Sequence, residues 1–349
     1  MSLTSPHNDV SVSAPAPETW PAQFGKVTDE FAALKSTCGV YDVAGRAKIK
    51  LTGSDRTRWL NGMVTNNVRD LAPGHGVYAF LLSPQGHILG DLTAFERGDH
   101  LLLNTEQLQL AKLLPTFDHY IIMDDVEVRD VSDQFATVGV TGPHSEALLK
   151  AAGIEVPALE PLEIADLIWQ QVSISVVRGA YEQYPSYSIW IVPEQAATLR
   201  QSLVSAGAVP VGRNALELYR IALGVPRYGQ DIRERDLPQE TEQARALHFS
   251  KGCYVGQEIV ERIRSRGNVH RKFTGFTVAG EAAPTLGTKI QAQGKDVGEI
   301  TSSATIPSPA GDRVVALGYV RRELAGKEVD IAGSRATVTE LPFADLLQR

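Results

Sequence analysis

The sequence predicts an α+β protein of several domains, and three observations carry that reading. Between Val126 and Ala206, strand-like and helix-like runs alternate with antiparallel returns, the pattern of a ferredoxin-like layer. From Lys272 onward the chain breaks into short strands separated by Gly and Pro, the spacing of a small barrel. With 349 residues, 43% of them hydrophobic, the chain exceeds one small core and suits two or three.

Residues 1–22 carry no lysine or arginine and no continuous apolar run, so they are neither a signal peptide nor a membrane span and read as a disordered arm. The first helix is expected to have Thr28 at its N-cap, Asp29 and Glu30 in its first turn, and Phe31 and Leu34 on its buried face. Arg46 to Leu51 alternates like a strand, and Ser54 with Asp55 opens a helix holding Trp59 and Leu60. Strands follow at Val77 to Leu82, His87 to Phe95 and His100 to Asn104. The first two are joined by Ser83-Pro84-Gln85-Gly86, with Pro84 and Gly86 where a turn wants them. Thr105 is expected to cap a helix striped by Leu108, Leu110, Leu113 and Leu114.

A second unit is expected from Val126, with strands at Glu127–Asp130, Gln134–Val140, Val172–Val177 and Ser186–Val192, one helix after Thr141-Gly142-Pro143 and another from Pro193 to Ala206. Asn214 to Leu223 reads as a helix. Ile259, Val260 and Ile263 recur at helical spacing after Gln257. The terminal strands are placed at 273–278, 288–292, 295–302, 314–320 and 328–339. The domain plan is therefore 23–125, 126–210, a return segment 211–271, and a barrel 272–349.

Two cysteines, Cys38 and Cys253, are too few for a disulfide framework, a four-thiolate cluster or a structural zinc site within one chain, which fits a reducing, cytoplasmic compartment. No metal site is expected. A net charge of −7 argues against a general nucleic-acid binder, though not against a local basic patch.

Lys251-Gly252-Cys253-Tyr254-Val255-Gly256-Gln257-Glu258 places one cysteine between a lysine and a helix start. Both the helix dipole and Lys251 would favour the thiolate, the form that attacks or ligates; the plain alternative is a small buried side chain. Cys38, after an amphipathic helix, reads as packed. In the strand from His87 to Phe95, Leu89, Asp91 and Thr93 share one face. A carboxylate there either lies on a solvated face or has a partner or a task. Arg262, Arg264, Arg266, His270, Arg271 and Lys272 form a basic cluster: either a solvated helix face or a receiver of phosphates and carboxylates.

The octet, followed by Arg262, Arg266-Gly267 and Arg271-Lys272, resembles the signature of the YgfZ family, folate-binding proteins that support iron–sulfur enzymes and are related to the glycine-cleavage aminomethyltransferase. Gly224-Val225-Pro226-Arg227-Tyr228-Gly229-Gln230-Asp231 with Pro238-Gln239-Glu240, Thr65-Asn66-Asn67-Val68 and the hairpin at Gly86 resemble segments both families share. The resemblance runs from about Phe24 to Val320. It implies a three-domain ring with a central channel and tetrahydrofolate, or another reduced folate, as cofactor. It puts Asp91 beside the folate's reactive nitrogen, with Gly90 where transferases tend to have another acid. Tyr228 and Glu240 would hold the pterin, Tyr78 and Asn104 would line the pocket, Arg271 would meet a polyglutamate tail, and Cys253, assisted by Lys251, would be the reactive thiol. Iron–sulfur enzymes or assembly factors are the implied partners, with tRNA modification supported through them; direct tRNA contact by the basic cluster is a further option. The chain is expected to be a monomer without a membrane association. The alternative reading is a tetrahydrofolate-dependent aminomethyl- or demethyltransferase.

Overall fold

The computed structural model describes residues 20–267, 269–308 and 311–348. Most of the arm expected over 1–22 lies outside the described residues. Trp20 does not: it is buried and its indole Nε1 donates to Val211 O at 2.8 Å, so the chain is anchored from residue 20.

The elements in chain order are α1 (Val27–Ser36), β1 (Gly39–Asp42), β2 (Arg46–Thr52), α2 (Arg56–Met63), β3 (Gly76–Leu82), β4 (Ile88–Glu96), β5 (Leu101–Glu106), α3 (Leu110–Tyr120) and β6 (Glu127–Asp130). Then come β7 (Ala136–Thr141), α4 (Ser145–Ala151), β8 (Ile164–Trp169), β9 (Val172–Arg178), β10 (Ser186–Ile191), α5 (Ala196–Ser205), β11 (Val209–Pro210), α6 (Arg213–Leu223) and α7 (Gln257–Arg266). The last part comprises β12 (Arg271–Val278), β13 (Lys289–Ala292), β14 (Lys295–Ile306), β15 (Arg313–Arg321), β16 (Glu328–Ile331), β17 (Ser334–Thr339) and α8 (Ala344–Leu347). The first sheet has the order β3-β4-β5-β2-β6, the second β11-β1-β7-β10-β9-β8, and β12-β15-β14-β13-β16-β17 close a barrel. The α+β class and the C-terminal barrel agree with the sequence reading.

The two sheets exchange strands across the expected boundary. β6, assigned from sequence to the second unit, pairs with β2 at Ile49↔Asp130 and Leu51↔Val128, and so belongs to the first sheet. β1, which precedes the first sheet, pairs with β7 and β11 in the second. Strand pairing is a long-range event that local periodicity does not report.

Several local expectations are corrected. α1 begins at Val27 with Lys26 at its N-cap, not Thr28. Glu30 is buried, its carboxylate accepting from the backbone N–H of Phe24, Gly25 and Gly212, so it joins the N-terminal segment to α6. Thr105 lies in β5, and α3 starts only at Leu110, leaving Leu108 exposed. β8 had no counterpart in the sequence reading. The run 328–339 is a hairpin, because Ala332 and Gly333 both take positive φ, the geometry of a two-residue turn that matches strand twist.

The first sheet positions the site. Ile49, Leu51, Ala79, Leu81, Leu92, Ala94, Leu101 and Leu103 point to one side and pack with Trp59 and Leu60 of α2 and Leu113 and Phe117 of α3. Alternation puts the intervening residues on the other side. The pairs Tyr78↔Thr93, Thr93↔Asn104 and Asn104↔Lys48 line up as one row across four strands. Phe80↔Asp91 and Arg46↔Glu106 belong to the row beside it.

Candidate functional site

Asp91 stands on this second face, which packs in part against the second sheet and the return segment, and is held on every side. Its Oδ2 accepts from the Tyr78 hydroxyl at 2.6 Å and its Oδ1 from Gln109 Nε2 at 2.6 Å. Gln109 Oε1 accepts from the Asp91 N–H at 2.9 Å, and Thr105 Oγ1 donates to Asp91 O at 2.7 Å. Thr105 thus serves the site instead of capping a helix. Gly90 has no room for a side chain: a Cβ would meet Gln109 Oε1 at 2.8 Å and Leu113 Cδ2 at 2.9 Å. The glutamine that clamps Asp91 therefore closes the position of the missing second acid.

Tyr78 joins Asp91 to the rest of the molecule. The Arg245 guanidinium lies 4.8 Å from the Tyr78 ring centre and 4.7 Å from that of Tyr181, a cation held between two aromatic faces. Arg245 is brought there by the Thr65-Asn66 pair. Asn66 Nδ2 donates to Tyr78 O at 2.8 Å and Arg245 O at 2.7 Å, while Thr65 Oγ1 donates to Ala246 O at 2.6 Å. Burial first, and the Asp91 carboxylate second, push the Tyr78 hydroxyl well above its ordinary range, so it stays a donor.

Along the row, Asn104 Oδ1 accepts from Lys48 Nζ at 2.9 Å and from Arg46 Nε at 3.4 Å. Burial raises Glu106 above the usual carboxylate range against the pull of Arg46. Among the described residues, no protein group hydrogen-bonds the Thr93 hydroxyl, the Asn104 Nδ2 or the Glu106 carboxylate.

Tyr228 reaches the same strand from the return segment, its hydroxyl donating to Leu89 O at 2.5 Å; burial first, then Asp91, raise it to about 12. Asp231, just after it, is fully buried and accepts from Thr301 Oγ1, Ser302 Oγ and Arg220, tying the segment to barrel strand β14.

Glu240 and Arg271 face one another in the structure. They pair with each other: Arg271 donates Nε and Nη2 to the two Glu240 oxygens, both at 3.0 Å, and Nη2 to buried Asp236 at 2.8 Å. Leu237 N–H also donates to Glu240. The pair forms a joint between return segment and barrel. Arg262 pairs with Glu258 and Arg264 with Glu261, so two charges of the basic cluster are met by carboxylates of its own helix.

The octet divides its residues between inside and outside. Lys251 is buried, with Nζ donating to Val64 O at 2.6 Å and to Asn61 O, the carbonyls at the C-terminal end of α2 that have no helical partner. Its cation also lies over the Tyr254 ring at 4.7 Å. This replaces the expected assistance to the thiol: the ammonium is committed to the end of α2. Tyr254 and Val255 pack inward, and Gly256, with φ +81°, is the N-cap of α7 against Ser83 of the hairpin. Cys253 is exposed, whereas Cys38 is buried and pushed up to about 11 by its burial.

Gln109, Arg245, Lys48 and Glu106 were not anticipated. Alternation along Arg46 to Leu51 could have put Lys48 on the face with Arg46; nothing local marks Gln109 or Arg245. A cavity of about 180 Å³ bounded by Leu34, Lys35, Tyr184 and Tyr219 lies elsewhere and holds none of the site residues. Among the described residues, no three His, Cys, Asp or Glu groups are gathered as metal ligands, and no helix is long and apolar enough to cross a membrane.

Comparison with known proteins gives the same picture. The GCVT N-terminal domain matches residues 14–251, and the glycine cleavage T-protein C-terminal barrel domain matches residues 271–345. An aminomethyltransferase of Rippkaea orientalis is 30% identical over 345 residues, covering 93% of this chain and 90% of that protein. One from Rubrobacter xylanophilus is 28% identical over 329 residues, covering 93% and 87%. The crystal structure of the glycine cleavage system aminomethyltransferase T from Bartonella henselae superposes with a TM-score of 0.80 at 20% identity, covering 92% of this chain and 90% of that one. With both domain matches in order along nearly its whole length, the chain belongs to the glycine cleavage T-protein family.

Proposed function

We infer that the chain binds a reduced folate, tetrahydrofolate or a derivative, on the Asp91 face of the first sheet. The observation that carries this reading is the set of unmade hydrogen bonds beside Asp91: the Thr93 hydroxyl, the Asn104 N–H groups and the Glu106 carboxylate. A pterin is a flat heterocycle with donors and acceptors along its edge, and this donor and acceptor set fits it. Tyr78, Thr93, Asn104 and Glu106 would hold the ring, with Tyr228 closing the β4 side. Asp91, immobilised by Tyr78 and Gln109, is a preorganised negative charge suited to stabilising a developing positive one. The folate would supply a nitrogen that accepts a one-carbon unit.

The names of the relatives favour tetrahydrofolate-dependent aminomethyl transfer as the reaction. A YgfZ-type role, supporting iron–sulfur enzymes and through them tRNA modification, rests on one observation: an octet that buries its lysine and tyrosine yet leaves Cys253 exposed. A transferase has no use for that thiol.

Calorimetric titration with 5-formyltetrahydrofolate tests the shared part. Binding is expected, and absence of heat at millimolar ligand would remove the site assignment. Complementation of a deletion strain separates the two roles. Loss of iron–sulfur enzyme activity with Cys253→Ala supports the second, and full rescue together with folate-dependent turnover of an aminomethyl donor supports the first.

A further inference from the structure

Lys48 is the least expected residue of the first sheet. It sits in mid-strand, 1% exposed, and no carboxylate pairs with it. Its Nζ donates to Asn104 Oδ1 at 2.9 Å and to Thr137 Oγ1 at 3.4 Å, and lies 4.4 Å from the Trp190 ring centre. A buried ammonium with only neutral partners is costly, and Lys48 is the buried cation of its face of β2, between half-buried Arg46 and Lys50, so a task is to be sought for it. Its strongest contact shows which. Protonated Lys48 and Arg46 carry donors only, so the atom of Asn104 facing them is the carbonyl oxygen. The amide is thereby denied its flipped orientation, and its two N–H donors are turned away from the cations, where no described residue accepts them.

We propose that Lys48 is a positioning residue for ligand recognition: by holding Asn104 Oδ1 it presents the Asn104 Nδ2 donors, beside Asp91 and Thr93, to an acceptor on the bound ligand. Resting on the folate reading, this assigns the acceptor to the pterin edge, whose ring carbonyl is the group that such an amide recognises. The face then has donors at Asn104 and acceptors at Glu106 and Asp91, which gives the ring one orientation. A flipped amide would place Oδ1 against that carbonyl, setting acceptor against acceptor, while leaving Lys48 facing an NH2 group.

The test exploits two substitutions in which stability and binding should part company. Asn104→Asp gives Lys48 the counter-ion it lacks and removes the N–H donors. Its melting temperature should rise by a few degrees, while its affinity for 5-formyltetrahydrofolate should fall about ten-fold, the worth of one good hydrogen bond. Lys48→Met removes the buried charge and frees the amide to flip; it should melt no lower than the parent and bind a few-fold more weakly. Parallel loss of stability and affinity in both variants would mean that Lys48 serves folding alone and would overturn the proposal, as would parental affinity in Asn104→Asp. Failure of the folate reading is seen separately, as no heat with the unsubstituted protein, and would remove the pterin assignment with it.

Discussion

The Asp91 face and the Cys253 segment are built on opposite plans. Around Asp91 every reactive atom is held: both carboxylate oxygens, its N–H and its carbonyl all have protein partners, drawn from β3, β5 and the turn before α3. Around Cys253 the backbone is held and the reactive atom is not. Lys251 locks onto the end of α2, Val255 N–H donates to Gly62 O at 3.1 Å, and Gly256 seats α7 on the hairpin, yet the sulfur is exposed. The first plan suits a group whose position relative to a small bound molecule matters. The second leaves a thiol exposed on a rigid mount.

The comparison breaks most readily at Asp91. Asp91→Ala leaves the Tyr78 hydroxyl and the Gln109 amide without their acceptor and removes the charge assigned to the proposed folate site. We expect a loss of about 2–3 kcal/mol of stability and about a hundred-fold or more in folate affinity, checked by urea denaturation and calorimetry. Lys251→Met should cost about 2 kcal/mol by stranding two helix-end carbonyls, with little change in folate affinity, since Lys251 touches α2 and not the β4 face. A large loss of affinity in that variant would show that the two regions form one site. Gly256→Ala should cost a similar amount, about 1–3 kcal/mol, from a positive φ and a Cβ 2.6 Å from Ser83 O.

A smaller effect distinguishes the lysines by pH. Burial, the largest cause for each, lowers Lys48 to about 7 and Lys251 to about 8, from 10.5. Between those values and 10.5 the unfolded chain binds more protons than the folded one, so these lysines make the unfolding free energy rise with pH. Cys38, raised from 9.0 to about 11, works in the opposite direction once its unfolded form ionises. The rise should therefore be clearest from about pH 7 to about 8.5, and Lys48→Met should flatten it. A slope unchanged by that substitution would show that Lys48 stays protonated throughout. Smallest of all is Cys253→Ala, expected within about 0.5 kcal/mol of the parent, because an exposed side chain with no packing role leaves nothing behind. In the native protein Cys253 should alkylate while Cys38 resists, read by mass spectrometry of the labelled peptides.

The sequence by itself determined what nearest-neighbour physics controls. Alternation placed β2, β3, β4 and β5 to within a residue or two and put Asp91 and Thr93 together on one face; the Pro84 and Gly86 turn located the hairpin, and Ile259, Val260 and Ile263 located α7. Cys38 as buried followed from the amphipathic helix before it. The tertiary structure alone decided everything that depended on which partner a charged or polar group would meet. Glu240 and Arg271, assigned separately to a pterin and a glutamate tail, neutralise one another because the return segment and the barrel strand bring them within 3.0 Å. Lys251, two residues from the thiol in sequence, turns inward because α2 ends there with carbonyls to satisfy. β6 and β1 changed sheets, and Gln109, Arg245 and Lys48 entered the site, through contacts 18 to 179 residues apart along the chain. Side-chain periodicity is encoded every two or three to four residues, whereas the choice of a buried group's counter-charge or hydrogen-bond partner is made only when distant segments close on one another.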